Sequence, residues 1–355
     1  MLLNIKEYSK KEYFWRMILV TGGTGLVGSH LLYFLLKENK KVRAIHRKSS
    51  DLNAVKTVFS YYSDDSETLF NTIEWVLGDI TDITSLTDAF SEIKQVYHAA
   101  AYISFNPKNY YKLKKINIEG TANVVNLCLA NDIEKLCHVS SIATLGKTLD
   151  DSLISEETHW DPEANNSVYS ITKFGAEMEV WRAAQEGLNV VIVNPGVILG
   201  EGFWNKGSGV IIKRAATKKL FYTTGSAGFV DVIDVVNIMI QLMQAPVHNK
   251  RYVLVGANVS YKALQIKLAE NFRRKPPKPI SKGLLSFLAR LNWLSAKLFG
   301  TKRTLLQSTV RSLFTESSYD ASKVKTTLDH NFIDFQDTIT RVVSAYSSKE
   351  SKPEA

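Results

Sequence analysis

Short apolar runs punctuate the first two thirds of the chain, each followed by a stretch in which apolar positions return every three or four residues. Residues 17–21, 42–46, 73–77, 95–98, 136–140 and 190–194 are strand-length runs. Between them, 26–38, 83–90, 117–130 and 168–186 carry helical periodicity. Uninterrupted apolar strands alternating with amphipathic helices specify a parallel sheet covered on both faces. The expected fold class is α/β, a doubly wound parallel sheet of Rossmann type with a smaller C-terminal α/β lobe. After Pro195 the alternation loosens, and helical patterns at 209–219, 234–244 and 261–272 suggest that lobe. The resulting division is an N-terminal extension at 1–16, a dinucleotide-binding domain at 17–195, a substrate lobe at 196–346 interleaved with it, and a polar tail at 347–355.

Composition narrows the class. The 355 residues are 45% hydrophobic and 22% charged, ordinary for a globular protein. No apolar run approaches the ~18 residues of a membrane span. No leader pattern opens the sequence, so a cytoplasmic protein is expected. Cys128 and Cys137 are the only cysteines and read as core residues, and no Cys/His cluster has metal-ligand spacing. Charge is uneven. Within a net charge of +9, residues 271–315 hold Arg273, Arg274, Lys275, Lys278, Lys282, Arg290, Lys297, Lys302, Arg303 and Arg311 and no acid. Such a segment points to one anionic partner at one place.

Chemistry begins at Thr21-Gly22-Gly23-Thr24-Gly25-Leu26-Val27-Gly28, directly after the first strand and opening the first helix. Glycines there allow a tight turn and close approach to a pyrophosphate, which the helix N-terminus then favours. The second strand ends Arg43-Ala44-Ile45-His46-Arg47-Lys48, with no acid before Asp51. A carboxylate for the ribose hydroxyl of NAD is missing, and a cationic cluster suits a 2′-phosphate, so NADP(H) is favoured over NAD(H). Tyr169 and Lys173 stand four apart on one helix face. The ammonium is expected to lower the phenol toward neutrality, and a shift of about three units is roughly 4 kcal/mol. Ser141, 28 residues upstream at a strand end, could bind the substrate oxygen.

These three parts together resemble the extended short-chain dehydrogenase/reductase superfamily, the group described broadly as NAD-dependent epimerase/dehydratase. The resemblance runs from about Met17 to Tyr346. It implies cofactor contacts from Gly22, Thr24, Gly25, Leu26, Val27 and Gly28, and adenine contacts from Asp79 and Ile80 in Gly78-Asp79-Ile80. Ala99, Ala100 and Ala101 would lie beneath the ribose, Arg47 at the 2′-phosphate, and Pro195, Gly196 and Val197 along the nicotinamide. Ser141, Tyr169 and Lys173 match the family's catalytic set, and Asn117 its supporting asparagine. Phe229 to Val232 matches a strand of the second lobe. Ile142 follows Ser141 where sugar-nucleotide dehydratases have an acid, which disfavours dehydration. Residues 191–200 are closer in pattern to dihydroflavonol reductases and hydroxysteroid dehydrogenases than to epimerases. The implied activity is hydride transfer to or from a small carbonyl or alcohol. Nucleotide-sugar epimerisation and a non-enzymatic cofactor sensor are the rivals.

Smaller signals stay open. Tyr102, Ser104 and Phe105 line the substrate pocket or simply pack. His98 reads as packing rather than catalysis, and Glu156 and Glu157 as solvated charges. Residues 283–299 place leucines at helical spacing with Arg290 and Lys297 interrupting. That helix covers the substrate lobe, forms a lid, or makes a peripheral contact with anionic lipid. Stacking aromatics do not interleave the charges, so nucleic acid is not expected. A homodimer is compatible with all of this.

Overall fold

The apolar runs become strands of one sheet. In the computed structural model, which describes residues 17–148, 152–299 and 305–350, these are β1 (Met17–Thr21), β2 (Val42–His46), β3 (Glu74–Leu77), β4 (Ile93–His98), β5 (Lys135–Val139) and β6 (Val190–Pro195). The expected extension at 1–16, the end of the tail at 351–355, and Lys302 and Arg303 lie outside the described residues. A seventh strand comes from the later chain, after β7 (Val197–Leu199), β8 (Phe221–Tyr222) and β9 (Ser226–Asp231). It is β10 (Lys250–Leu254), and the order is β10-β6-β5-β4-β1-β2-β3. Every pairing is parallel. Because β1 sits between β2 and β4, the winding reverses there and opens a crevice at the strands' C-terminal ends.

Helices cover both faces. Helix α1 (Leu26–Lys37) packs on Val232–Gln244, and Leu31, Leu35, Val235 and Met239 fill one core. Gly120–Ala130 and Val168–Gln185 cover the other face, burying Val124, Cys128, Val180 and Ala183. Two helices beyond the expected set follow β2, Leu52–Phe59, which buries Val55, Val58 and Phe59 along one face, and Ser66–Asn71. The segment 117–130 is only partly α-helical. Lys114–Glu119 is a π-helical turn, which widens the backbone just where Asn117 enters.

The second lobe is built on a three-stranded sheet, β11 (Ala257–Ser260)-β9-β7. Its core joins Phe229, Ile212, Leu264 and Leu268 to Ile339 and Val343 of the last helix, Phe335–Glu350. That helix corrects the expected tail. Tyr346 is buried against Trp204, and the hydroxyls of Ser347 and Ser348 bond back to Val343 and Ser344.

One further expectation and one of three open alternatives are overturned. Glu156 is not solvated: its carboxylate accepts from Val253 N–H (2.7 Å) on the outer edge of β10, which it protects from further pairing. The 283–299 leucines do not cover the lobe either. Helix Lys282–Phe299 packs through Ala289 on the short helix Gln307–Ser312, and the leucine stripe faces outward.

Candidate active site

At the reversal point the glycine turn has no room for side chains at Gly22 and Gly28. Gly22 has φ +73°, and a Cβ there would sit 2.6 Å from Ala100 N. A Cβ on Gly28 would overlap the Gly22 carbonyl oxygen, while Gly25 donates to that oxygen at 3.0 Å. Gly25 caps α1 without a side chain, so the first-turn N–H groups, including those of Leu26 and Val27, meet no capping side chain. This bare, close-packed cradle fits a pyrophosphate.

The walls of the crevice come from strand ends. Ala99 N–H bonds Thr21 O (3.2 Å) and Ala100 N–H reaches Thr21 Oγ1 (3.4 Å); Ala101 is exposed. Asp79 closes its own turn by accepting from Thr81 N–H and Oγ1–H (2.9 and 2.8 Å). Ile80 is fixed through its carbonyl by Asn123 (2.9 Å) and through its side chain against Gly120. Gly196, between Pro195 and Val197, donates to Leu254 O (3.0 Å) and has no space for a Cβ beside Gly228.

The cationic cluster is smaller than its sequence suggested. Arg43 is buried, bonded to Glu74 (2.9 Å) and to the Ala89 and Ser91 carbonyls, so it holds strands rather than ligands. Arg47 and Lys48 are exposed. Ser50 accepts from Arg47 N–H (3.0 Å) and from Thr24 (3.4 Å), tying this turn to the glycine loop. Asp51, the first acid, caps the next helix by accepting from Ala54 N–H.

Beside the crevice, Ser141 Oγ accepts from Ala143 N–H (3.1 Å), and its hydroxyl acts on the half-buried Tyr169 phenol. Burial raises the Tyr169 pKa and the Ser141 hydroxyl pulls it back. The expected pull from Lys173 is not seen. Lys173 is buried and donates to Val139 O (2.8 Å), with His138 Nε2 at 3.4 Å. Burial lowers Lys173 to about 8, with Glu177 opposing. Asn117 does not bond Lys173 but clamps Tyr102, accepting from its N–H (2.8 Å), donating to its carbonyl (3.1 Å), and also reaching Thr172 (3.2 Å). Phe105 packs edge-on against Tyr169 at 5.4 Å, so it borders the site. Ser104 is bonded into its own loop by Asn109 (2.8 Å), and the Tyr102 ring stacks under Lys112. His98 is held by Thr21 (2.7 Å) and Thr121 (2.9 Å), a packing role, and burial pushes its pKa down to about 3.

The sequence reading missed Glu177. This fully buried carboxylate accepts from Ser140 (2.5 Å), Thr144 (2.8 Å) and Asn194 (3.0 Å), and pairs with Arg251 (3.1 Å). Asn194 and Thr144 in turn bond the Ser141 carbonyl. The available signal was spacing, since Glu177 follows Lys173 by one helical turn. Among the described residues no group of His, Cys, Asp and Glu could hold a metal ion.

A parallel sheet with a side-chain-free glycine cradle at its switch point defines the class, an enzyme that binds a nicotinamide dinucleotide. The chain belongs to the NAD-dependent epimerase/dehydratase family, whose model matches residues 18–256, within the extended short-chain dehydrogenase/reductase superfamily. It is 29% identical over 86% of its length to a putative dihydroflavonol 4-reductase of Synechocystis, covering 87% of that protein. It is also 29% identical to sterol demethylase protein B of Methylococcus capsulatus, over 67% of this chain and 69% of that one. A nucleoside-diphosphate-sugar epimerase from Pseudomonas aeruginosa shares the fold, with TM-score 0.75 and 20% identity over 94% of this chain and 98% of that one.

Proposed function

We propose that the protein is an NADP(H)-dependent oxidoreductase that interconverts a carbonyl and an alcohol, with Ser141, Tyr169 and Lys173 as its working residues. The observation that carries the reading is the meeting of the Ser141 hydroxyl with the Tyr169 phenol at the crevice, with the buried Lys173 one helical turn further on. When bound, the nicotinamide supplies or accepts hydride. Gly22, Thr24, Gly25, Leu26, Val27 and Gly28 would hold its pyrophosphate, Arg47 the 2′-phosphate, Asp79 and Ile80 the adenine end. Ala99, Ala100 and Ala101 would hold the ribose side, and Pro195, Gly196 and Val197 the nicotinamide end. Ser141 Oγ, already accepting from a backbone N–H, directs its own proton at the substrate oxygen. Tyr169, kept protonated by burial, donates to that oxygen in reduction and is then reprotonated from solvent; oxidation runs the reverse way, Tyr169 first losing its proton to solvent and the phenolate then taking the alcohol proton. Lys173 is charged at neutral pH and adds positive potential beneath the cofactor site. Relatives named as a putative dihydroflavonol 4-reductase and a 3beta-hydroxysteroid-dehydrogenase/decarboxylase, matched over 86% and 94% of this chain, support this reading.

Tyr169→Phe tests it. Turnover of NADPH with ketone or aldehyde substrates should fall by 10² or more, about 2.7 kcal/mol of barrier, with cofactor affinity kept. Turnover within a few-fold of wild type would remove Tyr169 from the mechanism. Purified protein holding oxidised cofactor, with no net NADPH consumption and conversion of a nucleotide sugar, would favour the epimerase reading instead.

A further inference from the structure

We propose that helix Lys282–Phe299 is a docking helix that seats the second lobe on an anionic lipid surface. Leu284, Phe287, Leu288, Leu291, Leu294 and Leu298 are each 41–64% exposed, an unusual density of large apolar side chains in water. At about 100° per residue they fall within a single arc of roughly 120°. Part of the remaining helix surface makes the protein contact, while Trp293 on the far side stays 45% exposed. At that contact Ala289 is buried, Asn292 accepts from Leu305 N–H (3.0 Å), and Ser286 O accepts from Gln307 (3.0 Å). The apolar arc is therefore presented outward by a helix that the fold anchors from behind.

Charge complementarity selects the occupant. Arg290 and Lys297 are exposed and lie about 40° and 60° past the same edge of the arc, the Lys297 ammonium over the Trp293 ring. At the helix entry, Lys278 pairs with Phe221, which brings the exposed Lys218 and Lys219 and the half-exposed ring of Phe221 alongside. Residues 271–315 contain ten cations and no acid. A second copy docking through the same face would oppose like charges with no carboxylate of that segment to pair them. An interface rich in anionic headgroups meets both requirements, taking leucine and phenylalanine at the acyl boundary and cations at the phosphates. The helix does not cross: no helix among the described residues is long and apolar enough to span a membrane. This inference is independent of the catalytic reading.

The test is co-sedimentation of the full chain with vesicles of phosphatidylcholine and phosphatidylserine, against pure phosphatidylcholine. Binding should require the anionic lipid and fall as salt rises. Arg290→Glu/Lys297→Glu should weaken it by at least ~20-fold, since each basic residue lost near an anionic surface costs about fivefold. Leu291→Ser/Leu298→Ser should also release the protein, while leaving its thermal melt and NADPH oxidation unchanged because both leucines are exposed. Absence of binding at low salt overturns the proposal, as does binding that neither double variant reduces. A dimer that the leucine variant dissociates, without vesicle binding, would assign the face to a second copy and equally overturn it.

Discussion

Individual residues near the cofactor cradle carry constraints that can be measured one at a time. Gly28→Ala forces a methyl group into the Gly22 carbonyl, and overpacking of this kind costs about 1–3 kcal/mol. A denaturation midpoint unchanged from wild type would show that the loop can rearrange. Lys173 gives a pH signature. Burial lowers it to about 8, so its ammonium is present below that pH and lost as pH rises through it. The KM for the cofactor should therefore rise above about pH 8, and Lys173→Arg, charged throughout, should flatten that limb. A flat wild-type profile from pH 7 to 9 would mean Lys173 does not hold the cofactor by charge. Tyr169 and Lys173 were legible because four residues on a helix make one face. What each would bond was not, since Val139 and His138 reach Lys173 only through the sheet.

At the scale of elements, β2 shows how the end of a strand divides a basic run. Arg43 and Arg47 look alike in sequence, yet Arg43 points to the side where Glu74 of β3 lies in register, while Arg47 lies past the strand end. Arg47→Glu should move preference from NADPH toward NADH, read as the ratio of the two kcat/KM values; an unchanged ratio would make Arg47 a solvated turn residue. Glu177, on Val168–Gln185, ties that helix to β6 and β10 through Asn194 and Arg251. Glu177→Ala would leave Arg251 without its carboxylate partner and the buried Ser140 hydroxyl without its acceptor, a loss of about 3–5 kcal/mol. Because Asn194 and Thr144 also hold the Ser141 carbonyl, kcat should fall beyond what the lost stability explains.

For the whole molecule, acid is the predicted weakness. His30 and His98 are buried and lowered to about 3, and His138 is lowered well below its ordinary value, each mainly by desolvation. The unfolded chain takes up these protons near pH 6.5 and the folded chain does not, so stability is full above that pH and declines as pH falls below it. At pH 5.5 the loss should be about 1.4 kcal/mol per histidine, about 4 kcal/mol for the three. Urea midpoints equal at pH 7 and 5.5 would contradict it. A second tie holds the second lobe together. Arg341 of the last helix pairs with the buried Glu201 and, at 2.6 Å, with Asp231.

The order of strands and helices, the glycine turn and the Tyr169/Lys173 spacing were determined by the sequence, because each depends on residues close together along the chain. Contacts between distant segments were decided only by the tertiary structure. The return of β10 to the first sheet, the burial of Glu156 and Arg43, and the convergence of Ser140, Thr144, Asn194 and Arg251 on Glu177 are of this kind. So is the outward turn of the leucine stripe at 284–298, since periodicity defines an apolar face but the packing of the remaining helix surface decides where it looks.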